Sequence, residues 1–160
     1  MAPSPVVAKL LPSSVLLRRV AAHDYHRGYC ALLAQLTTVD TVSAEQFAEQ
    51  VAYWDAHPDT YTSIVLIDVA SDRVVGSGTL VVERKIIHGC GRVGHIEDIV
   101  VDANVRGQNL GKIVVEQLKH IAVANGCYKI ELAAAEKNAP FYEKCGFARK
   151  SLNMAIYTAH

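Results

Sequence analysis

The sequence predicts one mixed α/β (α+β) domain, in which a central twisted sheet of six to seven strands carries about four helices. The first observation is size, because 160 residues, 51% of them hydrophobic, fit a single compact core. The second is an order of elements: an apolar strand at 96–101, an amphipathic helix at 110–124 and a strand at 128–134. That order implies a right-handed parallel crossover within the sheet.

The chain begins with a predicted flexible arm at residues 1–13, which contain proline-rich breaks, and a single domain is expected over residues 14–160. A first strand is predicted at 14–20. Apolar residues recur at helical spacing between His23 and Leu36 and predict a helix there. A second helix is predicted near Ser43, because Ser-Ala-Glu-Gln matches a capping box with Gln46 at its third helical position.

A hairpin and a short helix complete the predicted elements. The apolar segment 62–70 and the strand 74–87 flank a tight turn at 71–73. After the crossover unit, residues 138–145 are predicted to form a helix closed by Gly146, and residues 147–157 a final strand.

Charge and cysteine usage narrow the classes of partner. Sixteen basic and sixteen acidic side chains cancel, so no bulk charge favours nucleic acid or a membrane surface. No apolar run approaches the ~20 residues that span a bilayer. The four cysteines lie far apart and form no C-x-x-C pair, which favours reduced thiols. We therefore expect a soluble, cytoplasmic protein with no nucleic-acid or membrane partner, and leave import into an organelle open.

The strand at 94–101 contains one residue too many for a regular alternation. Ile96 and Ile99 are three residues apart, whereas residues on one face of a strand are separated by two. A β-bulge at Glu97-Asp98 reconciles the count if both isoleucines face one core, and it turns a carboxylate and a free backbone N–H toward a cleft. The alternative is an ordinary strand end at which both acids are solvated.

A glycine-containing basic loop, Arg106 to Lys112, opens the helix at 110–124. The first N–H groups of a helix have no internal partner, so backbone donors together with Arg106 and Lys112 suit a pyrophosphate group. The alternative is a loop that only caps a helix with basic ends.

The chain resembles the GNAT acyltransferase superfamily in the loop RGQNLGK at 106–112 and in NAPFYEKCGF at 138–147. Arg106 and Gly111 match the ends of the family's loop pattern, whereas Asn109 stands where its middle glycine is usual. The strings GHIEDIVV at 94–101, KIIH at 85–88, GCYKI at 126–130 and LAQLT at 33–37 resemble, more closely, the glucosamine-6-phosphate N-acetyltransferase family. The resemblance covers most of the chain and implies the GNAT acyl-CoA N-acyltransferase fold, with acetyl-CoA as co-substrate and no metal.

The resemblance also implies roles for individual residues. The backbone of Ile99, Val100 and Val101 binds the pantetheine arm, and a loop holds the pyrophosphate: Arg106, Gly107, Gln108, Asn109, Leu110, Gly111 and Lys112. Asn138 and Lys144 contact CoA, and Tyr142 lies by its sulfur. The positions that match the D-glucosamine 6-phosphate site are Thr37, Lys85, His88, Glu97, Asp98, Tyr128 and Lys129. Some of these are contributed across a homodimer interface, and Tyr157 stands where a basic residue is often expected.

The chemistry of acetyl transfer agrees with these roles. An ammonium group must lose a proton before it attacks a thioester, a task for Glu97 or Asp98. A backbone N–H at the bulge suits the oxyanion, and Tyr142 can protonate the departing thiolate, which predicts direct transfer in a ternary complex. The expected product, N-acetylglucosamine 6-phosphate, serves UDP-N-acetylglucosamine biosynthesis. The local sequence alone favours a core aromatic for Tyr142, a preference that the surrounding motif reverses, and it suits Tyr128 and Lys129 equally well as ordinary strand residues.

Two other functions remain open at this point. One is acetylation of a different small amine or of a peptide N-terminus, although Lys85, His88 and Lys129 favour an anionic acceptor. The other is a CoA-binding module without catalysis, which the paired acids together with Tyr142 disfavour. A metal site is not predicted, since His23, Asp24 and His26 have no further ligand nearby in the sequence.

Overall fold

Five strands form one mixed sheet in the computed structural model, which describes residues 1–158. They follow one another in both sequence and space: β1 (Val15–Arg19), β2 (Tyr61–Asp68), β3 (Arg73–Arg84), β4 (Arg92–Val101) and β5 (Cys127–Glu131). The first four strands are antiparallel, and β5 runs parallel to β4. The predicted parallel unit is thus confirmed, with α5 as its crossover helix.

Six helices surround the sheet, four of them no longer than six residues. Their bounds are α1 (Pro5–Leu10), α2 (Tyr29–Leu33), α3 (Ala44–Ala56), α4 (Ile87–Cys90), α5 (Leu110–Ala124) and α6 (Ala139–Lys144). The bounds of α5 are those predicted from its apolar spacing. The capping box of α3 is also present: the Gln46 amide donates to Ser43 Oγ at 3.2 Å, and the Ser43 amide donates to Gln46 Oε1 at 2.8 Å.

The sheet has an apolar core on each face. On one face Leu80 and Ile96 pack with Ile113 and Leu118 of α5. On the other face α2 and α3 cover a second core that contains Val100. Alternate residues of β4 therefore serve different cores, which places one set of its side chains under α5 and the other set away from it.

The first 13 residues differ from the flexible arm that the sequence predicts. Val7 of α1 is fully buried in the core beneath α5. The Ser4 amide donates to the side chain of buried Gln117 at 2.8 Å, and Ser4 Oγ caps α1 by accepting from the Val7 amide. The prolines break the chain around this short helix, but its apolar face and its cap dock it on the domain.

Two predicted elements are corrected. Residues 147–158 form neither helix nor strand, so the sheet has five strands instead of six to seven. A strand needs a hydrogen-bonding neighbour, and within residues 1–158 this segment has none. The predicted helix from His23 to Leu36 is divided into a 3₁₀ turn at Ala22–Tyr25 and α2, because Gly28 adopts a φ of +86° between them.

Within the described part of the chain, no helix combines the length and the apolar character that a membrane crossing requires.

Candidate active site

A β-bulge interrupts the pairing of β4 with β3. Ser77 pairs with Val100 and Thr79 pairs with Glu97. Between these two pairs β4 therefore contains one residue more than β3 does. Asp98 has a φ of +53°, the left-handed conformation that lets the strand take up the additional residue. The predicted bulge is confirmed, and Ile99 packs on the same core as Ile96 although the two are three residues apart.

Immediately before the bulge, β4 and β5 separate. Their parallel pairing runs from Arg92 with Cys127 to His95 with Glu131 and then ends. From Glu97 to Val101, β4 is paired only with β3 among residues 1–158. The other edge of this segment lines a fork between two diverging strands. Backbone N–H and C=O groups on such an edge can bind an extended ligand as a further strand does.

The two acids of the bulge lie at this fork, and both are exposed. Partial burial raises the pKa of Glu97 above the usual range for glutamate; the negative charge of Asp98 acts in the same direction, and His95 opposes both. A carboxyl group with a raised pKa beside a free strand edge can accept a proton from a bound ammonium group.

Buried hydroxyl groups lie in the sheet behind the bulge, and the sequence reasoning missed them. Thr79 donates to Ser63 Oγ at 3.1 Å, Ser77 Oγ lies 3.3 Å from the Tyr29 hydroxyl, and that hydroxyl lies 3.3 Å from Ser63 Oγ. Burial raises the pKa of Tyr29, and Asp98 adds to this effect. These bonds hold α2 against β2 and β3 on the face opposite α5. The only signal in the sequence is small polar residues within otherwise apolar strands.

The loop after β4 has the backbone that an anion site needs. Gly107 has a φ of +88°, and a Cβ atom built on it would meet nothing within 4 Å. Asn109 has a φ of +60° and directly precedes Leu110, the first residue of α5, whose N-terminal amides therefore open beside the loop. Neither Arg106 nor Lys112 forms an ion pair within residues 1–158. Asparagine tolerates the left-handed conformation better than most residues, which explains how Asn109 replaces the usual glycine.

Tyr142 lies on α6, which packs against this loop. Its ring makes edge contacts with Phe141 and Phe147, at centroid distances of 5.0 and 6.2 Å. Burial raises the pKa of Tyr142, and Cys145 acts in the same direction. The Phe141 ring lies against Gly111, since a Cβ atom there would be 3.3 Å from it. Through Phe141, α6 and the loop Arg106–Lys112 thus form one packed unit, and Asn138 and Lys144 are exposed at the start and the end of α6.

Four of the residues predicted to bind the acceptor form two separate contact groups, one of two aromatic rings and one of two lysines with their glutamates. The His88 and Tyr128 rings lie 4.4 Å apart, and His88 has a φ of +54°. The ammonium groups of Lys85 and Lys129 pair with Glu83 and Glu131 at 2.7 and 2.6 Å. Among residues 1–158, no hydrogen bond or ion pair joins Thr37 to this group.

The structure gives Asp24, which lies close to His23 and His26 in the sequence, a role within the fold. Asp24 is fully buried and bonds both guanidinium nitrogens of Arg18, at 2.5 and 2.7 Å. It also accepts from the Ala21 amide at 2.8 Å, so this carboxylate organises the 3₁₀ turn. Within residues 1–158, no three side chains of the metal-binding types come together.

The comparisons with known proteins agree with this geometry. The family model described as acetyltransferase (GNAT) family matches residues 22–147. The chain is 43% identical to glucosamine 6-phosphate N-acetyltransferase 1 of Dictyostelium discoideum, covering 94% of this chain and 96% of that protein. It is 41% identical to glucosamine 6-phosphate N-acetyltransferase of Candida albicans, over 91% and 97%. The crystal structure of glucosamine-6-phosphate N-acetyltransferase from Arabidopsis thaliana superposes with a TM-score of 0.89 at 35% identity, covering 92% of this chain and all of that one.

Proposed function

The chain belongs to the acetyltransferase (GNAT) family, and we propose that it transfers the acetyl group of acetyl-CoA to the 2-amino group of D-glucosamine 6-phosphate. The products are N-acetyl-D-glucosamine 6-phosphate and CoA, which places the enzyme in UDP-N-acetylglucosamine biosynthesis. The acceptor is supported by the names of relatives that match this chain over most of its length. The observation that carries the proposal is the fork. There, two acids lie at a bulge of β4, the following segment of β4 has an unpaired edge, and the proposed phosphate loop comes next in the chain.

Acetyl-CoA fits the residues that line this fork. We propose that the edge of Ile99, Val100 and Val101 binds the pantetheine arm as an added strand. The pyrophosphate lies at Arg106–Lys112, where Gly107 leaves room for close approach and the first amides of α5 act as donors. Asn138 and Lys144 bind along α6. Arg106 and Lys112 form no ion pair within residues 1–158, which favours binding of an anion over a loop that only caps the helix.

Glu97, with Asp98 beside it, takes the proton that the acceptor's ammonium group loses. The neutral amine then forms a C–N bond to the acetyl carbonyl carbon while the C–S bond breaks. Bulge amides stabilise the negative charge that develops on the carbonyl oxygen, and Tyr142 gives its hydroxyl proton to the departing sulfur. Overall the nitrogen loses two protons: one reaches solvent through Glu97, and the other replaces the proton that Tyr142 gives up.

The acceptor is held, on this proposal, by Lys85, His88, Tyr128 and Lys129, with Thr37 reaching the site from the turn that follows α2. Both lysines are paired with glutamates in the structure, so the sugar phosphate has to exchange with these carboxylates. A dianionic phosphate competes for a lysine more strongly than a neutral hydroxyl group does, which gives a reason for the acceptor to be phosphorylated.

We further propose that the enzyme is a homodimer in which a second copy covers this end of the cleft. Support comes from Leu152, Met154 and Ile156, which alternate along the C-terminal segment and are each about 90% exposed. Ile86 and Ile87 are also exposed, beside His88. Apolar residues at every second position are typical of a strand with one buried face, and a second copy would supply the surface that buries it. For the cytoplasmic location that we also propose, support comes from the four cysteines, all of which are unpaired.

The proposed reaction is tested by the release of free CoA thiol with three acceptors at one acetyl-CoA concentration. We expect glucosamine 6-phosphate to exceed glucosamine and spermidine in kcat/KM by about 100-fold or more, because a site whose cations pair with phosphate disfavours acceptors that lack it. Initial rates should give intersecting double-reciprocal lines. Faster turnover of spermidine contradicts the acceptor, and an isolable acetyl-enzyme contradicts direct transfer. Binding of acetyl-CoA without turnover of any acceptor contradicts an enzymatic role.

A further inference from the structure

His95 occupies the last paired position before β4 and β5 separate. It pairs with Val81 on β3 and with Glu131 on β5, and it lies two residues before Glu97. Because strand side chains alternate, His95 and Glu97 point to the same face, opposite the face on which Ile96 packs beneath α5. The imidazole ring is therefore the neighbour of the proposed base along the strand.

The ring lies between two carboxylates that come from different strands. Its Nε2 is 3.0 Å from Oε2 of Glu83, and its Nδ1 is 3.5 Å from Oε1 of Glu131. Each glutamate already has a lysine partner, Lys85 or Lys129. The five side chains form a charged row across β3, β4 and β5, defined here as Lys85, Glu83, His95, Glu131 and Lys129.

Within the charged row, the two lysines balance the two glutamates, so a protonated imidazole adds one positive charge. The groups around Glu97 that bear charge are Asp98 and His95 on its own strand, whereas its partner on β3 is the uncharged Thr79. On the remaining side the strands have separated, and the charges of β5 end at Glu131.

Two influences work against ionisation of Glu97. Partial burial raises the pKa of Glu97, and the neighbouring Asp98 raises it further, while His95 lowers it. A base must be ionised to accept a proton, so the charge of His95 favours the form of Glu97 that the reaction needs. Glu83 and Glu131 keep the ring beside the strand by holding both of its nitrogens.

We propose that His95 is a positioning residue, clamped by Glu83 and Glu131 at the end of the β4–β5 pairing so that its charge keeps Glu97 ionised. It acts through Glu97 and does not itself exchange a proton with either substrate. This inference rests on the proposed use of Glu97 as the base. It gives a function to a histidine that neither the bulge nor the phosphate loop requires.

The test compares the full chain with its His95→Gln variant by ¹³C NMR titration of side-chain carboxyl groups and by the pH profile of kcat/KM. Glutamine keeps a donor for one carboxylate but carries no charge. In His95→Gln we expect the titration midpoint of the Glu97 carboxyl group to move to higher pH by about half to one pH unit. The acidic limb of the profile should move by the same amount. His120→Gln, the same change at an exposed histidine of α5, serves as the control and should move neither.

A second variant separates charge from shape. His95→Lys retains a positive charge between the glutamates, and we expect it to restore the midpoint and the acidic limb to near the wild-type position. If His95→Gln fails to fold, His95→Asn removes the same charge and takes its place in the comparison. An unmoved Glu97 midpoint in a folded charge-removing variant overturns the proposal. So does a rate loss in His95→Gln that is equal at all pH values, since that is the mark of a purely structural role.

A separate variant, Glu97→Gln, tests the proposed catalytic use of Glu97. If Glu97→Gln retains full activity, Glu97 is not the base and the proposed catalytic use fails, whatever the titration of Glu97 reports. If Glu97→Gln is inactive and the midpoint is unmoved by His95→Gln, only the role of His95 fails.

Discussion

The proposed cofactor end and the proposed acceptor end of the cleft are built in different ways. The cofactor end comprises Arg106–Lys112, the start of α5, and α6; it comes from two short segments of the chain that pack beside the α5 core. The acceptor end comprises the bulge, the charged row, and His88 with Tyr128, and it is assembled from three strands. At the cofactor end the cations are free of ion pairs within residues 1–158, whereas at the acceptor end Lys85 and Lys129 are paired.

In the proposed homodimer, the cofactor end is complete within a single chain and the acceptor end is completed by a second copy. The backbone and helix dipole of the cofactor end need no further residues to bind an anion. The acceptor end leaves Ile86, Ile87 and Tyr128 exposed beside its polar groups. Three successive residues there, His88, Gly89 and Cys90, have φ values of +54° to +63°, which indicates a strained turn next to the site. Strain of this kind persists where the surroundings hold it, and a second copy would supply those surroundings.

The largest effect is expected at the bulge, from Glu97→Gln. Loss of a general base lowers the rate by about 10²- to 10⁴-fold, and we expect a fall of about 10³-fold in kcat with glucosamine 6-phosphate. The KM for acetyl-CoA should stay within about twofold, because the amide leaves the edge of β4 in place. Steady-state kinetics with both substrates varied give these values, and an equal loss in acetyl-CoA affinity would contradict the separation of the two ends.

Asp98→Asn makes the corresponding acid-to-amide change at the residue next to Glu97. The charge of Asp98 raises the pKa of Glu97, so its removal lowers that pKa and keeps Glu97 ionised to lower pH. The acidic limb of the kcat/KM profile should therefore move to lower pH, opposite to the shift expected for His95→Gln. If the acidic limb moves to higher pH in both Asp98→Asn and His95→Gln, the electrostatic account of the acceptor end is wrong.

A smaller effect is expected from Tyr142→Phe, which removes one hydroxyl from the packed unit of α6. The fall in kcat should be about 10²-fold, at the lower limit for a proton donor, since a thiolate is a fair leaving group without protonation. Packing against Phe141 and Phe147 should persist, so stability should change little. Phe141→Leu is the control at the neighbouring ring. If it lowers kcat as much as Tyr142→Phe, the hydroxyl has no separate role.

The incompleteness of the acceptor end is tested by replacing Leu152, Met154 and Ile156 together with serine. These side chains are about 90% exposed in the single chain, so the fold of a protomer should be unchanged. We expect sedimentation to report a monomer and the KM for glucosamine 6-phosphate to rise about tenfold, with the KM for acetyl-CoA within twofold. A variant that remains dimeric, or that loses both affinities equally, would contradict the proposed division.

What the sequence predicts well lies within short stretches of chain. The bounds of α5, the cap at Ser43 and the bulge follow from spacing along one segment, and each is present. The charged row and the buried hydroxyl groups depend on which residues of β2, β3, β4 and β5 pair, and register over such distances is not encoded in local spacing. The prediction of a final strand at 147–157 was wrong for a related reason. Alternating apolar residues indicate a strand but do not indicate which segment or chain supplies its partner.

The smallest effect concerns Asn109, the residue that departs from the family's loop pattern. Its φ of +60° costs most residues with a Cβ about 1 kcal/mol, less for asparagine and nothing for glycine. Asn109→Ala should therefore lower the free energy of unfolding by about 1 kcal/mol, and Asn109→Gly should leave it within about 0.5 kcal/mol, because the relief of strain offsets the entropy of glycine. Urea unfolding measures both, with Gln108→Ala as the control at an adjacent exposed position. If Asn109→Ala is as stable as the wild type, the loop does not depend on this conformation. If it is destabilised while Asn109→Gly binds acetyl-CoA normally, asparagine serves here only through its backbone, as the family's glycine does.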